Sequence, residues 1–163
     1  MKRFSRFAYI ENESHALEAE IKGSEVHPAI VGMVYVYELP QGFYLQADIE
    51  GLPESRVFGL HIHDGLVCAP TGPNNPFSDS GGHLNNCGEG IWCSRHPYHA
   101  GDLPPLFSNE KGKSSIRVYI DRANIDEISG KPIVIHGLPD DFKTQPSGNS
   151  GVRIACGILK KKI

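Results

Sequence analysis

The stretch Val57-Phe58-Gly59-Leu60-His61-Ile62-His63 sets the fold class of this chain. In an extended strand successive side chains point to opposite faces. Phe58, Leu60 and Ile62 therefore share one face, and His61 and His63 share the other. The apolar face asks for a core, as in a half-buried strand. The other face carries two imidazoles side by side, a ready pair of metal ligands. Taken alone, the pair also fits a polar outer face with incidental histidines. Zinc amidohydrolases use a His-x-His strand pair too, but on a barrel of about 250 residues, and this chain has 163.

The flanking sequence repeats the strand signal. Leu17, Ala19 and Ile21 alternate with Glu18, Glu20 and Lys22 until Gly23. Ile30 to Leu39 is rich in Val and Tyr, Pro40-Gln41-Gly42 is a turn, and Phe43 to Ile49 returns as the hairpin partner. Gly51-Leu52-Pro53 breaks the chain before Val57. Ser115 to Ile120, Pro132 to His136 and Val152 to Leu159 read as further strands, the last ending in Lys160-Lys161-Lys162. Between them lie a long loop over 64–115, dense in Gly, Pro, Asn and Ser, and a shorter one over 137–151. A loop that long in a compact domain calls for a function or a staple. No segment reads as a convincing helix, there is no internal repeat, and residues 1–14 read as a loose lead-in. The expectation is a single all-β domain over 1–163, an antiparallel sandwich or barrel with its long loops gathered at strand ends.

Composition narrows the function. The net charge of −3 and pI of about 6.2 offer no basic surface for nucleic acid. No run approaches the ~20 apolar residues of a spanning helix, so no membrane partner is expected. Lys2, Arg3 and Arg6 resemble the start of a signal peptide, but Glu11, Asn12 and Glu13 arrive before an apolar core. As given, the chain is expected in the cytoplasm; the alternative is an exported protein whose signal has been removed. Four cysteines pull the other way, since paired disulfides point to an oxidising compartment.

The long loop carries the rest of the chemistry. His83 follows Gly81-Gly82, which lets the backbone pack closely and turn sharply. His96, His99 and Asp102 recur at every third position, and with His83 they make a three-nitrogen, one-oxygen set suited to four-coordinate zinc. Pro97 and Gly101 argue against a regular helix there. His136 ends the apolar run Ile133-Val134-Ile135 and by itself reads as a core histidine. His15 and His27 have no such company and receive no role.

Taken in order, Gly59-Leu60-His61-Ile62-His63, Gly82-His83, His99-Ala100-Gly101-Asp102-Leu103, His136 with Asp140-Asp141, and Gly151-Val152-Arg153-Ile154-Ala155-Cys156-Gly157 resemble the motifs of copper/zinc superoxide dismutases. The bacterial branch is most similar, through Cys68 five residues after His63 and through Gly101-Asp102-Leu103-Pro104. The resemblance covers about Ala16 to Leu159. It implies an antiparallel Greek-key β-sandwich, immunoglobulin-like in architecture. It implies copper held by His61, His63, His83 and His136, and zinc held by His83, His96, His99 and Asp102, with His83 shared. Asp140 would link a copper histidine to a zinc histidine, and such partners fix tautomer and ring orientation. Cys68 and Cys156 would form a disulfide tying the metal loop to the last strand. Arg153 would attract and orient an anionic substrate. The implied activity is that of an oxidoreductase that disproportionates superoxide. A homodimer is compatible with the resemblance.

The departures are local. His96 and His99 are only three apart, closer than the family pattern. The loop over 137–151 is short, with Lys143 as its only cation before Arg153. Cys87 and Cys93 are additional; they fit either a small disulfide ring around Gly88 to Trp92 or a thiolate ligand, since copper(I) and zinc both accept sulfur. The rival from another class is a copper or zinc carrier on the same sandwich without turnover.

Overall fold

The computed structural model describes residues 14–87 and 92–162. Nearly all of the expected lead-in, and most of Gly88 to Trp92, lie outside the described residues.

The alternating segments form antiparallel strands. These are β1 (Leu17–Gly23), β2 (Val31–Glu38), β3 (Phe43–Glu50), β4 (Val57–Phe58), β5 (Leu60–Ile62), β6 (Leu106–Phe107), β7 (Ser114–Ile120), β8 (Pro132–His136), β9 (Arg153–Ile158) and β10 (Lys160–Lys161). The main sheet runs β5-β8-β9-β1-β2-β3-β7, with β10 pairing β1 beside β9. The connections β3 to β5 and β7 to β8 cross between its two ends rather than joining neighbours, as Greek-key chains do.

Both ends of the sheet face one core. Leu60 and Ile62 of β5, Ile133 and Ile135 of β8, Phe43, Leu45 and Ile49 of β3, and Leu17 and Ile21 of β1 belong to one buried cluster. A flat sheet could not bring its end strands to a common core, so the sheet is rolled into a barrel-like sandwich. Phe58 and Leu106, paired in the short β4–β6 ribbon, enter the same cluster.

Two expectations are corrected here. Val57 to His63 is not one strand: it changes sheets at Gly59, where an added Cβ would lie 2.9 Å from Ser150 Oγ and 3.1 Å from His61 Cε1. There is also a helix, the single turn α1 (Ile125–Ile128). A capping box builds it: Glu127 N–H donates to Asn124 Oδ1 at 3.1 Å and Asn124 N–H donates to Glu127 Oε2 at 2.8 Å. Four residues are too few for a 3.6-residue period to register.

β8 is buried on both faces. Ile133 and Ile135 point into the core, while Val134 packs on the other side with Phe77, Cys156 and Cys68. Cys68 is bonded to Cys156, so the long loop is stapled across the outer face of β8 and β9. Cys87 is bonded to Cys93, and no free cysteine is present. The 68–156 bridge closes a separation of 88 residues, and loss of a native bridge costs roughly 2–5 kcal/mol. Cys156→Ser is therefore expected to lower the unfolding free energy by about that amount in a urea titration. An unchanged midpoint would mean the staple does nothing for the fold.

Candidate metal centre

The outer face of β5 is where the histidines collect. His61 projects from it opposite Leu60 and Ile62, and it is fully buried because the long loop lies over this edge. Ile62 N–H donates to Gly101 O at 2.9 Å, and Leu84 N–H donates to Ile62 O at 2.8 Å. Gly101 allows the contact: a Cβ there would sit 2.1 Å from Ile62 O. The loop thus docks on an otherwise open strand edge, pairing His61 with Asp102 and His63 with His83.

Two sets of side chains converge. His61, His63, His83 and His136 form one; His83, His96, His99 and Asp102 form the other. Within each set the chosen donor atoms lie within 4.8 Å of one another. His83 belongs to both.

The hydrogen bonds decide which ring nitrogen faces each set. A carbonyl or a carboxylate only accepts, so a ring nitrogen bonded to one must carry the proton. His63 Nδ1 donates to Gly81 O at 2.9 Å, His136 Nδ1 to Gly151 O at 3.2 Å, and His99 Nε2 to Ser94 O at 3.1 Å. His61 Nε2 donates to Asp140 Oδ2 at 2.9 Å, and His96 Nε2 to Asp140 Oδ1 at 2.8 Å. Burial works to raise the Asp140 carboxyl, but hydrogen bonds from His61, the Phe142 N–H and His96 outweigh it and keep it ionised. The opposite nitrogens then present lone pairs: His61 Nδ1, His63 Nε2 and His136 Nε2 toward the first set, His96 Nδ1 and His99 Nδ1 toward the second. His83 differs in its acceptor: by the same rule Nδ1 donates to Asp102 Oδ1 at 2.7 Å, a carboxylate that is itself a member of the second set, and Nε2 is buried without a partner.

This arrangement fits metal ions. His61 Nδ1, His96 Nδ1 and His99 Nδ1 are likewise buried without a hydrogen-bond partner, a state that is costly unless something else satisfies it. His63 Nε2 and His136 Nε2 stand 3.2 Å apart, lone pair toward lone pair. His96 Nδ1 and His99 Nδ1 each lie 3.2 Å from Asp102 Oδ2. Electron pairs at such distances repel unless a cation lies among them. A proton is a poor choice in the first set. Burial holds His63 down to about 3, helped by the charge of His83. Burial, then His61 and His63, hold His136 well below the ordinary range. Burial lowers His61 as well, against the pull of Asp140. Burial tends to raise Asp102, but His83, His96 and His99 overcome it, so the second set keeps an anionic oxygen.

An expected outcome in acid follows. An unfolded histidine takes up a proton near pH 6.5, whereas folded His63 does so only near 3. Between these values the unfolded state binds more protons, so stability present above about pH 6.5 is lost progressively toward about pH 3. Calorimetry of the metal-free protein should give a Tm that falls from pH 7 to pH 5; a flat profile would mean these rings are hydrated.

Arg153, the first residue of β9, pairs in register with His136. Its Nη2 donates to Gly81 O at 2.8 Å, the same carbonyl that accepts from His63. Gly81 has a φ of +77°, which only glycine adopts freely. Gly82 needs no such freedom, since a Cβ there meets nothing within 4 Å; the close packing expected of both glycines belongs to Gly81. Arg153, His63, His83 and His136 line one cleft of about 450 Å³, with Asn75 and Ser147 at its rim. Asp141 points elsewhere. It accepts the Lys143 and Thr144 N–H groups at 3.0 and 2.8 Å, and with the Thr144 hydroxyl these bonds pull its carboxyl to about 2.

Three contributors escaped the sequence reading. Arg122 donates to Pro97 O at 2.8 Å and to Asp102 O at 2.9 Å, gripping the loop from outside. Gln145 bonds the main chain of His96. Gly148, at φ +68°, leaves room for the Asp140 link, since a Cβ there would lie 1.9 Å from Asp140 Oδ1 and 2.6 Å from His96 Nε2. Only the glycine left a sequence signal, as a turn residue in Ser147-Gly148-Asn149.

Comparisons with known proteins place the chain in a family. Residues 30–159 match the family model described as copper/zinc superoxide dismutase. The Cu-Zn superoxide dismutase 2 of Aquifex aeolicus is 29% identical over 157 residues, covering 90% of this chain and 89% of its own. The Cu-Zn superoxide dismutase of Escherichia coli K12 is 31% identical over 158 residues, covering 90% and 88%. Among solved structures, the Cu/Zn superoxide dismutase from Brucella abortus superposes with a TM-score of 0.73 at 26% identity, over 88% of this chain and 98% of that one. A SOD-like protein from Bacillus subtilis gives 0.72 at 26% identity, over 88% and 98%. The matched residues run from β2 through β9, and the chain belongs to the copper/zinc superoxide dismutase family.

Proposed function

We propose that the protein disproportionates superoxide, two superoxide anions and two protons yielding dioxygen and hydrogen peroxide, at a copper ion joined to zinc through His83. His61 Nδ1, His63 Nε2, His83 Nε2 and His136 Nε2 would hold copper; His83 Nδ1, His96 Nδ1, His99 Nδ1 and an Asp102 oxygen would hold zinc. The observation that carries this reading is the division of the ring nitrogens. All six histidines spend one nitrogen on a carbonyl or carboxylate and turn the other inward, and for His83 that carboxylate, Asp102, is itself a member of the second set, so His83 turns a nitrogen to each. Copper, when bound, supplies a one-electron redox couple, and zinc a fixed charge on the far nitrogen of His83.

The chain supplies the rest. Arg153, fixed by Gly81 O beside His63, draws the anion into the cleft and orients it. His83 also lines this cleft, and its Nε2 would be free to take up a proton and hand it to the reduced product only when it does not hold copper. Asp140 keeps His61 and His96 from rotating.

The test is superoxide consumption by protein loaded with one copper and one zinc per chain. Consumption should scale with copper content and yield one peroxide per two superoxides. Stoichiometric metal without consumption above the spontaneous rate would favour a carrier.

A further inference from the structure

A two-bond contact joins Gln145 to the main chain of His96, 49 positions away on another loop. Gln145 Nε2 donates to His96 O at 2.7 Å, and His96 N–H donates to Gln145 Oε1 at 3.0 Å. Nε2 also donates to Lys143 O at 3.2 Å, so the amide is engaged at both ends and its orientation is set.

His96 sits where the local chain offers little support. Pro97, which follows it, has no N–H to give. Only Pro97 and Tyr98 separate it from His99, and their one main-chain donor goes to Arg95 O at 2.8 Å. Both main-chain polar groups of His96 are instead held by Gln145. Its side chain is turned by Asp140 Oδ1 at 2.8 Å, which leaves Nδ1 facing Asp102 Oδ2 at 3.2 Å. Gln145 itself is exposed on the rim of a cleft that His96 also lines. Water can therefore take over its hydrogen bonds if the side chain is removed, but water does not hold a position.

We propose that Gln145 is a positioning residue for the zinc half of the centre: it clamps His96 from the opposite loop and so compensates for the two-residue connection between His96 and His99. This rests on the reading of His96 as a zinc ligand. It also makes the loop over 137–151 a double support of that ligand, through Asp140 on the ring and Gln145 on the backbone.

The test compares zinc and copper affinities, by chelator competition on the full chain, for wild type, Gln145→Ala and His96→Ala. Partners of metal ligands are worth roughly 10–100-fold in affinity, so Gln145→Ala is expected to raise the zinc Kd by that factor. Its copper Kd should change distinctly less than its zinc Kd, because the copper set meets His96 only indirectly, through Asp140 and the shared His83, and its metal-free Tm should match wild type. Unchanged zinc affinity overturns the proposal. So does an equal loss for both metals with a lower metal-free Tm, which is the mark of a merely structural residue. His96→Ala separates the two claims: if it abolishes zinc binding while Gln145→Ala does not weaken it, only the positioning role fails; if it leaves zinc binding intact, the ligand reading fails. Should Gln145→Ala not fold, Gln145→Glu carries the same test. It keeps the acceptor for the His96 N–H, loses the donor to the carbonyl, and should weaken zinc by a smaller factor; no change would overturn the proposal.

Discussion

His83→Ala is expected to give a folded protein that holds neither metal fully and has lost nearly all superoxide turnover. His83 is the one side chain common to both sets, with Nδ1 at Asp102 and Nε2 buried without a partner toward His61, His63 and His136. Its ring stacks on that of His61 at 3.9 Å, so its removal also opens a gap between the sets. Losing a mere partner of a ligand costs roughly 10–100-fold in affinity; losing a ligand to two ions should cost more for each. Turnover should drop below roughly one hundredth of wild type. Metal analysis after dialysis and a superoxide assay check both halves. One metal retained in full, with near-normal turnover, would mean that His83 serves a single ion.

Arg153→Ala is expected to slow the second-order reaction with superoxide by about tenfold or more, the scale on which local fields change association rates. Lys143→Ala should change it by less than about twofold, in line with the small effect of an exposed charge. The structure separates the two cations. Arg153 lines the histidine cleft, half-buried and tethered to Gly81 O. Lys143 lies on a different cleft with Trp92, Tyr98 and Phe142, next to the ionised Asp141. The chain is net negative, so the guiding charge must act close to the site. A charge acting within a Debye length of ~8 Å is screened little at physiological salt, so the wild-type rate should fall only gently as salt rises. Rates for both variants across a salt series decide it. Equal losses, or a steep salt dependence removed by Lys143→Ala, would place the field in the loop over 137–151.

Where period and composition act locally, the sequence was readable. Pro132 to His136 matches β8 residue for residue, because Ile133-Val134-Ile135 is a dense β-branched run. Leu17, Ala19 and Ile21 alternate into the core despite the helix preference of Ala, Leu and Glu. The break at Gly59 went unread, although a glycine inside a strand pattern often marks a bulge or a close approach. β6 is two residues long in a loop of turn formers, too short for any period. The residues of the two sets were named partly from spacing, as with His61 and His63 and with His96, His99 and Asp102, and partly from the ordered motifs of the resemblance, as with His136, which alone reads as a core histidine. Arg122 and Gln145 could not be read at all. Each bonds main-chain carbonyls across the fold, and any residue in the partner position would offer the same carbonyl.

The central claim is a pair of metal ions sharing one imidazole. Anomalous diffraction from crystals of the protein loaded with copper and zinc, recorded at each absorption edge, tests it most directly. The account predicts one copper peak beside His61 Nδ1, His63 Nε2, His83 Nε2 and His136 Nε2. It predicts one zinc peak about 2 Å from His83 Nδ1, His96 Nδ1 and His99 Nδ1, with Asp102 completing the set. A single peak, or two peaks of which only one touches His83, would contradict it.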